Sequence, residues 1–426
     1  MKDDNNLEMC NLLCDMDGKI LHIDGDCEFF FGYSSVEIIS DRRVFNLFYK
    51  NSIIEFIDKF NGIFSDHLNN NCIFSDGDFY CLHKNGVVFL VNVTFVRNSE
   101  FLSIFFKKYN TTSKVLIDKS YFFRKLNIII RGKFLLGSII PVIFSILYSV
   151  GRFDENSMFI SFLSIIGVLF FHIAANTFND YFDWKSNRDK LNKDYVLFST
   201  GGSRAIDFNF ITDKGMLIIS IISFIIVGLI GFYISYVRGY VVLCIGLFTA
   251  FSIYFYSASP VHFASRYGMG EFLHIICLGP LLLVGSVFSI VGYFRFCDLL
   301  IGFPFGLLIT GCLLMNEYPD SKADLLSGKI NLAVLLGSKY IPYLFLFFVI
   351  LSYLIILFGI IGNCFTYFYL FTFSILPYVI RSVFVISKIG TSRVSILEAC
   401  SRSLNIYLFF SLLLIFSRIS ELIFLK

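Results

Sequence analysis

The sequence predicts an all-α polytopic membrane protein of nine transmembrane helices, preceded by a small soluble α+β domain. Three observations lead there. Of 426 residues, 56% are hydrophobic and only 16% charged, a balance too apolar for the surface of a soluble protein. Apolar runs long enough to cross a bilayer, which takes about 20 residues each, recur from residue 134 to the carboxyl terminus. The preceding segment holds no such run and alternates strand-like stretches with turn signals.

That amino-terminal segment, Leu7 to Tyr109, reads as an opening hairpin (Leu12–Ile23), a polar helix-compatible stretch, and three strands at Cys72–His83, Val87–Arg97 and Phe101–Lys108. Short connections make the last three an antiparallel meander. Turn signals fall at Asp17-Gly18, Asp76-Gly77 and Asn85-Gly86. Three stretches, DMDGKILHID from Asp15, FFGYSSVEI from Phe30 and HKNGVVFLVNVTFV from His83, make residues 1–112 resemble a PAS domain. The resemblance implies a sensor of a small ligand, of redox state or of dimerisation. An unrelated meander domain would share the hairpins, but would have no reason to carry Phe-Gly-Tyr-Ser at that place. His22, His67 and His83 are read as surface or core residues rather than haem ligands, and no flavin-reactive cysteine motif is visible. The start, Met1-Lys-Asp-Asp-Asn-Asn, is polar, so no cleaved signal peptide is expected and the amino terminus should stay in the cytoplasm. The 11 cysteines lie mostly in apolar stretches. Cys10 and Cys14 lack a second pair at zinc-finger spacing, so the expectation is apolar filler in a reducing compartment.

Residues 113–130 form a linker that turns basic toward Lys119, Arg124 and Lys125. The predicted spans then follow at 134–150, 158–178, 215–237, 239–257, 272–294, 298–316, 340–361, 364–387 and 403–424. With the amino terminus inside, the inner loops carry thirteen Lys and Arg and the outer loops only Arg152, Arg238 and Arg295. That contrast obeys the positive-inside rule and places the protein in the cell's inner membrane with its acidic segments cytoplasmic. A net charge of +3 spread over the chain leaves no electrostatic footprint for nucleic acid.

Chemistry concentrates in two acidic segments that close the second and sixth runs. The first, NDYFDWKSNRD, supplies Asn179, Asp180, Asp183 and Asp189; the second, NEYPDSKADLLSGK, supplies Asn316, Glu317, Asp320 and Asp324. In both, an Asn precedes an Asp by four residues, and the copies lie 137 positions apart. An i, i+4, i+8 series shares one helix face, so Asn316, Asp320 and Asp324 could project together, although Pro319 is able to kink or unwind the helix there. One acidic motif alone would be read as an ordinary loop. Two matched motifs at inner helix ends, where carboxylates are costly, point to a bound cation, and hard oxygen ligands beside a phosphate substrate suit Mg²⁺.

From Arg131 onward the chain resembles the UbiA superfamily of intramembrane prenyltransferases. Besides the acidic motifs, the resemblance rests on RGKFLLGSIIPV from Arg131, STGGSR from Ser199, YSASPVHFASRYGMGE from Tyr256, and NEYPDSKADLLSGKINLAVLLG from Asn316. It implies nine helices around a lipid-open cavity over residues 131–426, and two facing Mg²⁺–diphosphate clusters: Asn179, Asp183 and Asp189 against Asn316, Asp320 and Asp324, with Asp180 as a further metal ligand. Arg131, Lys329 and Arg204 would contact the diphosphate, as cations suited to phosphate oxygens, with Tyr256 beside them. For the basic residues, a topology charge is the competing reading. The spacing Asp183-x5-Asp189, with GGSR and NEYPD, is most similar to the 1,4-dihydroxy-2-naphthoate polyprenyltransferase branch of menaquinone synthesis. Asn187 and Ile330-Asn331 depart from that branch. The implied reaction ionises an allylic polyprenyl diphosphate and alkylates an electron-rich aromatic ring. Two alternatives stay open here: a prenyltransferase for another lipid acceptor, and a non-catalytic lipid or quinone receptor linked to the PAS-like domain.

Overall fold

The computed structural model describes residues 9–15, 18–25, 27–41, 44–65, 71–83, 88–98, 101–108, 119–187, 200–208, 210–389 and 393–425. They form two compact units, 1–128 with 207–210, and 129–206 with 211–426.

In the first unit, β1 (Met9–Asp15) and β2 (Ile20–Gly25) form the expected hairpin, then come α1 (Cys27–Phe31), α2 (Ser35–Asp41) and α3 (Lys50–Ser65), and the meander β3 (Asn71–Leu82), β4 (Val88–Asn98) and β5 (Phe101–Lys108). The strands make one antiparallel sheet in the order β2-β1-β5-β4-β3. Period-two alternation buries Val91, Val93 and Phe95 on β4 and Leu102, Ile104 and Phe106 on β5 against Phe45, Phe56, Phe60 and Phe79. Phe-Gly-Tyr-Ser both stops and restarts a helix. Gly32, at φ 74°, ends α1, where a side chain would be strained. Ser34 and Glu37 then form a reciprocal cap for α2: Glu37 Oε2 accepts from the Ser34 amide at 2.9 Å and Ser34 Oγ from the Glu37 amide at 3.3 Å. Asp76-Gly77 is not a turn. β3 runs through it with a register shift between Phe74 and Gly77, a bulge that absorbs the glycine without reversing the chain. Asn85-Gly86, Asp17 and His67 lie outside the described residues. The connector is partly helical, α4 (Lys119–Ile129).

The second unit contains α5 (Gly132–Ser149), α6 (Ser157–Lys185), α7 (Asp213–Arg238), α8 (Tyr240–Ser257), α9 (Met269–Leu278), α10 (Pro280–Val291), α11 (Phe296–Leu326), α12 (Leu332–Leu336), α13 (Ile341–Ile361), α14 (Leu376–Ser387, entered from a 3₁₀ stretch at Tyr367–Ile375) and α15 (Arg393–Phe424). Counting α9–α10 and the 3₁₀–α14 pair as single passes, nine segments among the described residues are long and apolar enough to span a membrane. On α7, Ile218, Ile221, Ile225, Leu229 and Phe232 share one exposed stripe, while Met216, Ser220 and Ser223 are buried. Ser220 Oγ donates to Thr177 Oγ1 of α6 at 2.8 Å, the interhelical contact that small polar residues allow within a membrane.

Three details set the geometry of the bundle. First, α6 and α11 run seven and ten residues past the predicted ends of the apolar runs, to Lys185 and Leu326, so both acidic motifs are helical. Hydropathy stops at the first acid; the backbone does not. Second, two of the prolines inside helices, Pro141 and Pro319, are accommodated by partners from α15. Pro141 cannot bond the Gly137 carbonyl, and the Tyr407 hydroxyl donates to it at 2.6 Å instead. Pro319 likewise leaves Met315 O to the Cys400 thiol at 3.5 Å, so α11 does not unwind. A freed carbonyl in an apolar bundle needs such a partner. Third, Gly279 and Pro280 at the α9–α10 break cross α11 at Gly302 and Gly306, where a Cβ on Gly302 would stand 2.6 Å from Pro280 Cα.

The expectation that the cysteines are apolar filler is corrected in part. Cys10 is bonded to Cys27, and Cys297 to Cys364, because β1 meets α1, and the start of α11 meets the end of α13, at close range. Cys14, Cys81, Cys277 and Cys312 are free and buried. At the end of the bundle away from the acidic motifs, Arg238 binds Asp154 and Arg152 lies 3.6 Å from Asp298, so these two arginines have structural partners.

Candidate active site

The site is built on the carboxyl-terminal ends of α6 and α11. On α6, Asn176, Asn179 and Asp183 fall at i, i+3 and i+7, one face of a helix; on α11, Asn316, Asp320 and Asp324 repeat every four residues. Arg131 caps α5 in a left-handed conformation at φ 52°, uncommon for a residue with a Cβ. Its guanidinium donates to Asn179 Oδ1 at 3.2 Å and pairs with Asp180. Asn179 in turn donates to Ser257 Oγ of α8 at 2.8 Å, so its carboxamide is oriented from two sides. Asp180 is buried and turned toward Arg131, with its Oδ2 lacking a hydrogen-bond partner.

The loop carrying Gly-Gly-Ser-Arg closes over both helices. The Gly201 amide donates to Asp320 Oδ2 at 2.9 Å, and the Ser203 amide to Asp180 Oδ1 at 3.4 Å. Gly201 and Gly202 have φ of 69° and 86°, a turn that accompanies the inward-facing Gly201 and Ser203 amides and that side chains would strain. Arg204 follows, buried and left-handed at φ 55°. Asp189 lies outside the described residues, as does Ser199.

Beyond α11 the chain folds back on Asp324. Lys329 Nζ lies 3.0 Å and Asn331 Nδ2 2.8 Å from Asp324 Oδ2, while Asn331 Oδ1 caps α12 by accepting from the Val334 amide at 2.9 Å. Burial works against the Lys329 charge, yet Asp324, Glu317 and Asp183 together outweigh it and hold its pKa well above the usual lysine range. Lys329 is therefore a fixed cation between the two acidic segments. Tyr256 lies within electrostatic reach of Glu317, Lys329, Glu271 and Asp183, with Gly270 packed against its ring.

Several contributors escaped the sequence reading. Glu271 accepts from the Leu332 amide at 2.6 Å, anchoring α12 beneath the site. Glu317 is buried beside it with Oε2 unpartnered. Asn331, a departure from the resembled branch, serves as cap and Asp324 partner at once. The Gly-x-Gly-Glu spacing could have flagged Glu271; nothing in the local sequence shows that Glu317 would face it. Among the described residues, no three His, Cys, Asp or Glu side chains converge tightly enough to hold a metal by themselves. Asp180, Asp320 and Asp324 are paired instead with Arg131, the Gly201 amide and Lys329. The donors are nonetheless all oxygens, and the unpartnered Asp180 Oδ2 fits a hard cation shared with phosphate oxygens.

Paired acidic helix ends, fixed cations and a glycine loop joining them make a polar site at one end of an apolar, membrane-spanning bundle. Residues 138–395 match the UbiA prenyltransferase family, and the chain belongs to that family: it is a multi-pass membrane prenyltransferase. Among solved structures, a digeranylgeranylglyceryl phosphate synthase is similar at TM-score 0.50 and 20% identity, over 70% of this chain and 99% of that one. A UbiA homologue from Archaeoglobus fulgidus bound to DMAPP and Mg²⁺ has the same TM-score of 0.50 at 15% identity, over 70% and 99%. One from Aeropyrum pernix K1 has TM-score 0.50 at 12% identity, over 68% and 98%. At these identities the likeness is one of fold. No curated protein matches the chain by sequence.

Proposed function

We propose that the chain transfers a polyprenyl group from an allylic diphosphate to 1,4-dihydroxy-2-naphthoate, the aromatic acceptor of menaquinone synthesis, with Mg²⁺ between the two acidic segments. The observation that carries this reading is the Gly-Gly-Ser-Arg loop, whose amides bind a carboxylate of each motif at once, Asp320 and Asp180. With the Asp183-x5-Asp189 spacing and NEYPD, that loop is one of the three features that resemble the naphthoate branch. The A. fulgidus homologue bound to DMAPP and Mg²⁺ supports the pairing of an allylic diphosphate with this metal.

In this reading Asn179, Asp180, Asp183 and Asp189 face Asn316, Asp320 and Asp324 around the metal and diphosphate. Arg131, Lys329 and Arg204 bind diphosphate oxygens, and Tyr256 borders them. Bound there, Mg²⁺ supplies neutralisation of the charge that grows on the leaving diphosphate. Arg131 and Lys329, already held by Asp180 and Asp324, need no reorganisation to help stabilise that same charge. The surrounding helices exclude water from the allylic cation, and the acceptor ring attacks it; the carboxylate of the naphthoate leaves as CO₂. The acidic end faces the cytoplasm, in keeping with the Lys and Arg distribution, and the membrane is the cell's inner membrane. The amino-terminal unit, whose sheet order and helix placement support the PAS resemblance, tunes transfer in response to a ligand, redox state or dimerisation.

The test is product formation by the full-length chain in nanodiscs, given labelled polyprenyl diphosphate, Mg²⁺ and dihydroxynaphthoate. Prenylated product should form, stop on addition of EDTA and return with excess Mg²⁺. Asp183→Ala and Asp320→Ala should each abolish it. No product from dihydroxynaphthoate, with turnover of a prenylated glycerol phosphate instead, refutes the acceptor; normal cellular quinone levels in both alanine variants refute catalysis. Removing residues 1–112 without any change under varied ligand and redox conditions refutes the sensor role.

A further inference from the structure

The polar face of the site does not end at the carboxylates. Continuing the α6 stripe inward from Asp183, Asn179 and Asn176 reaches His172, a spacing of eleven, seven and four residues on one helix face. His172 is seven residues from Asn179, which places it about 10 Å deeper in the membrane along the helix. Its Nδ1 lies 2.7 Å from Ser138 Oγ of α5. On α9, His274 Nδ1 lies 2.8 Å from Thr310 Oγ1 of α11, and Thr310 stands on the α11 face that carries Glu317, Asp320 and Asp324, at offsets of seven, ten and fourteen residues. Arg131 lies within electrostatic reach of His172, and His172 of His274. Four helices thus place two imidazoles within electrostatic reach of one another, each on or bonded to a helix face that carries the acidic residues.

The hydrogen bonds leave one nitrogen of each ring open. Ser138 Oγ engages His172 Nδ1 at 2.7 Å and Thr310 Oγ1 engages His274 Nδ1 at 2.8 Å, so Nε2 of each ring is left to bond a ligand, as acceptor or donor according to its tautomer. No hydrogen bond to an Nε2 is found for either ring among the described residues, and both residues are only partly buried. A hydrocarbon tail passing here would leave these nitrogens unsatisfied, at the cost of a desolvated polar group. A ring hydroxyl satisfies one of them.

We infer that His172 and His274 form a subsite that recognises the hydroxyl groups of the aromatic acceptor, holding its ring beneath the allylic carbon. The subsite deepens the proposed acceptor reading and rests on it. Ser138 and Thr310 are positioning residues that aim the imidazoles.

Steady-state kinetics of the full-length chain in nanodiscs test this, with 1,4-dihydroxy-2-naphthoate compared with 1-hydroxy-2-naphthoate, which lacks one hydroxyl. His172→Ala and His274→Ala should raise the acceptor KM about tenfold, the size of one lost hydrogen bond, while leaving the KM for polyprenyl diphosphate within about twofold. The preference for the dihydroxy over the monohydroxy acceptor should fall toward unity. Gln at either position should recover part of it, and Thr310→Val should shift KM less than His274→Ala. If an alanine variant fails to fold, the Gln and Thr310→Val variants carry the same comparison. An unchanged acceptor KM and unchanged preference in variants that still turn over, or a wild-type protein with no preference between the two acceptors, overturn the subsite alone. A wild-type chain that prenylates no hydroxylated aromatic overturns the proposed function, and the subsite with it.

Discussion

The contact between Tyr407 and Gly137 can be tested as a matched repair of a proline. Pro141 removes the amide that would bond the Gly137 carbonyl, and the wholly buried Tyr407 hydroxyl replaces it at 2.6 Å. Tyr407→Phe leaves that carbonyl without a donor inside the bundle. An orphaned buried acceptor costs about 1–3 kcal/mol, whereas interhelical hydrogen bonds in membranes measure about 0.6 kcal/mol on average and up to about 1.7. The 2.6 Å length and complete burial favour the upper part of that membrane range, so about 1.5 kcal/mol is expected, a roughly tenfold change in the folding equilibrium. Pro141→Ala restores an amide at the helical distance from Gly137, so Tyr407→Phe in that background should cost under about 0.5 kcal/mol, a coupling of about 1 kcal/mol between the two positions. The assay is reversible unfolding in mixed micelles of rising SDS fraction, followed by fluorescence of the single tryptophan, Trp184. Equal costs of Tyr407→Phe in both backgrounds would refute the repair.

Other expectations follow from the same geometry. Gly306→Val should abolish recovery of folded protein, because a Cβ there meets Gly279 Cα at 2.9 Å and backbones cannot yield as side chains do; Gly228→Ala, with nothing within 4 Å, should be neutral or stabilise by about 0.5–1 kcal/mol, as read by the same unfolding assay. Asn331→Ala removes both the α12 cap and an Asp324 partner, and should cost about 1–2 kcal/mol while raising the KM for the diphosphate substrate; an unchanged KM counts against Asp324 in that site. The Arg238 hydrogen bond, aided by Ser157, holds the Asp154 carboxyl below its ordinary value of 3.8. A depressed carboxylate stabilises fully above its unfolded pKa and loses that contribution as pH falls through its folded one. Thermal stability of the wild type should therefore drop more steeply below about pH 4 than that of Asp154→Asn, and parallel curves would count against the pairing.

How much of this protein is legible in its sequence depends on the range of the interaction concerned. Membrane crossing is a sum over about 20 consecutive side chains, so the nine spans could be read directly, and period-two alternation likewise announced β4 and β5. The paired acidic motifs were legible because helical spacing is local and the two copies resemble one another. Their geometry was not. Hydropathy ends a helix at its first acid, although α6 and α11 continue through theirs, and a proline reads as a possible break unless the distant partner of its freed carbonyl is known; Tyr407 is 270 residues from Gly137. The Asp76-Gly77 bulge and the two cysteine pairs were missed for the same reason, since each depends on which strand or helix lies opposite.

The sequence by itself determined the membrane architecture, the family and the residue types at the acidic ends, because composition, period and motif are properties of neighbouring residues. Only the tertiary structure decided that Gly201 and Ser203 join the two motifs, that Asn331 and Lys329 close on Asp324, and that His172 and His274 are held by Ser138 and Thr310. Those contacts link helices far apart in the chain, and their directions are set by packing, which no local window contains.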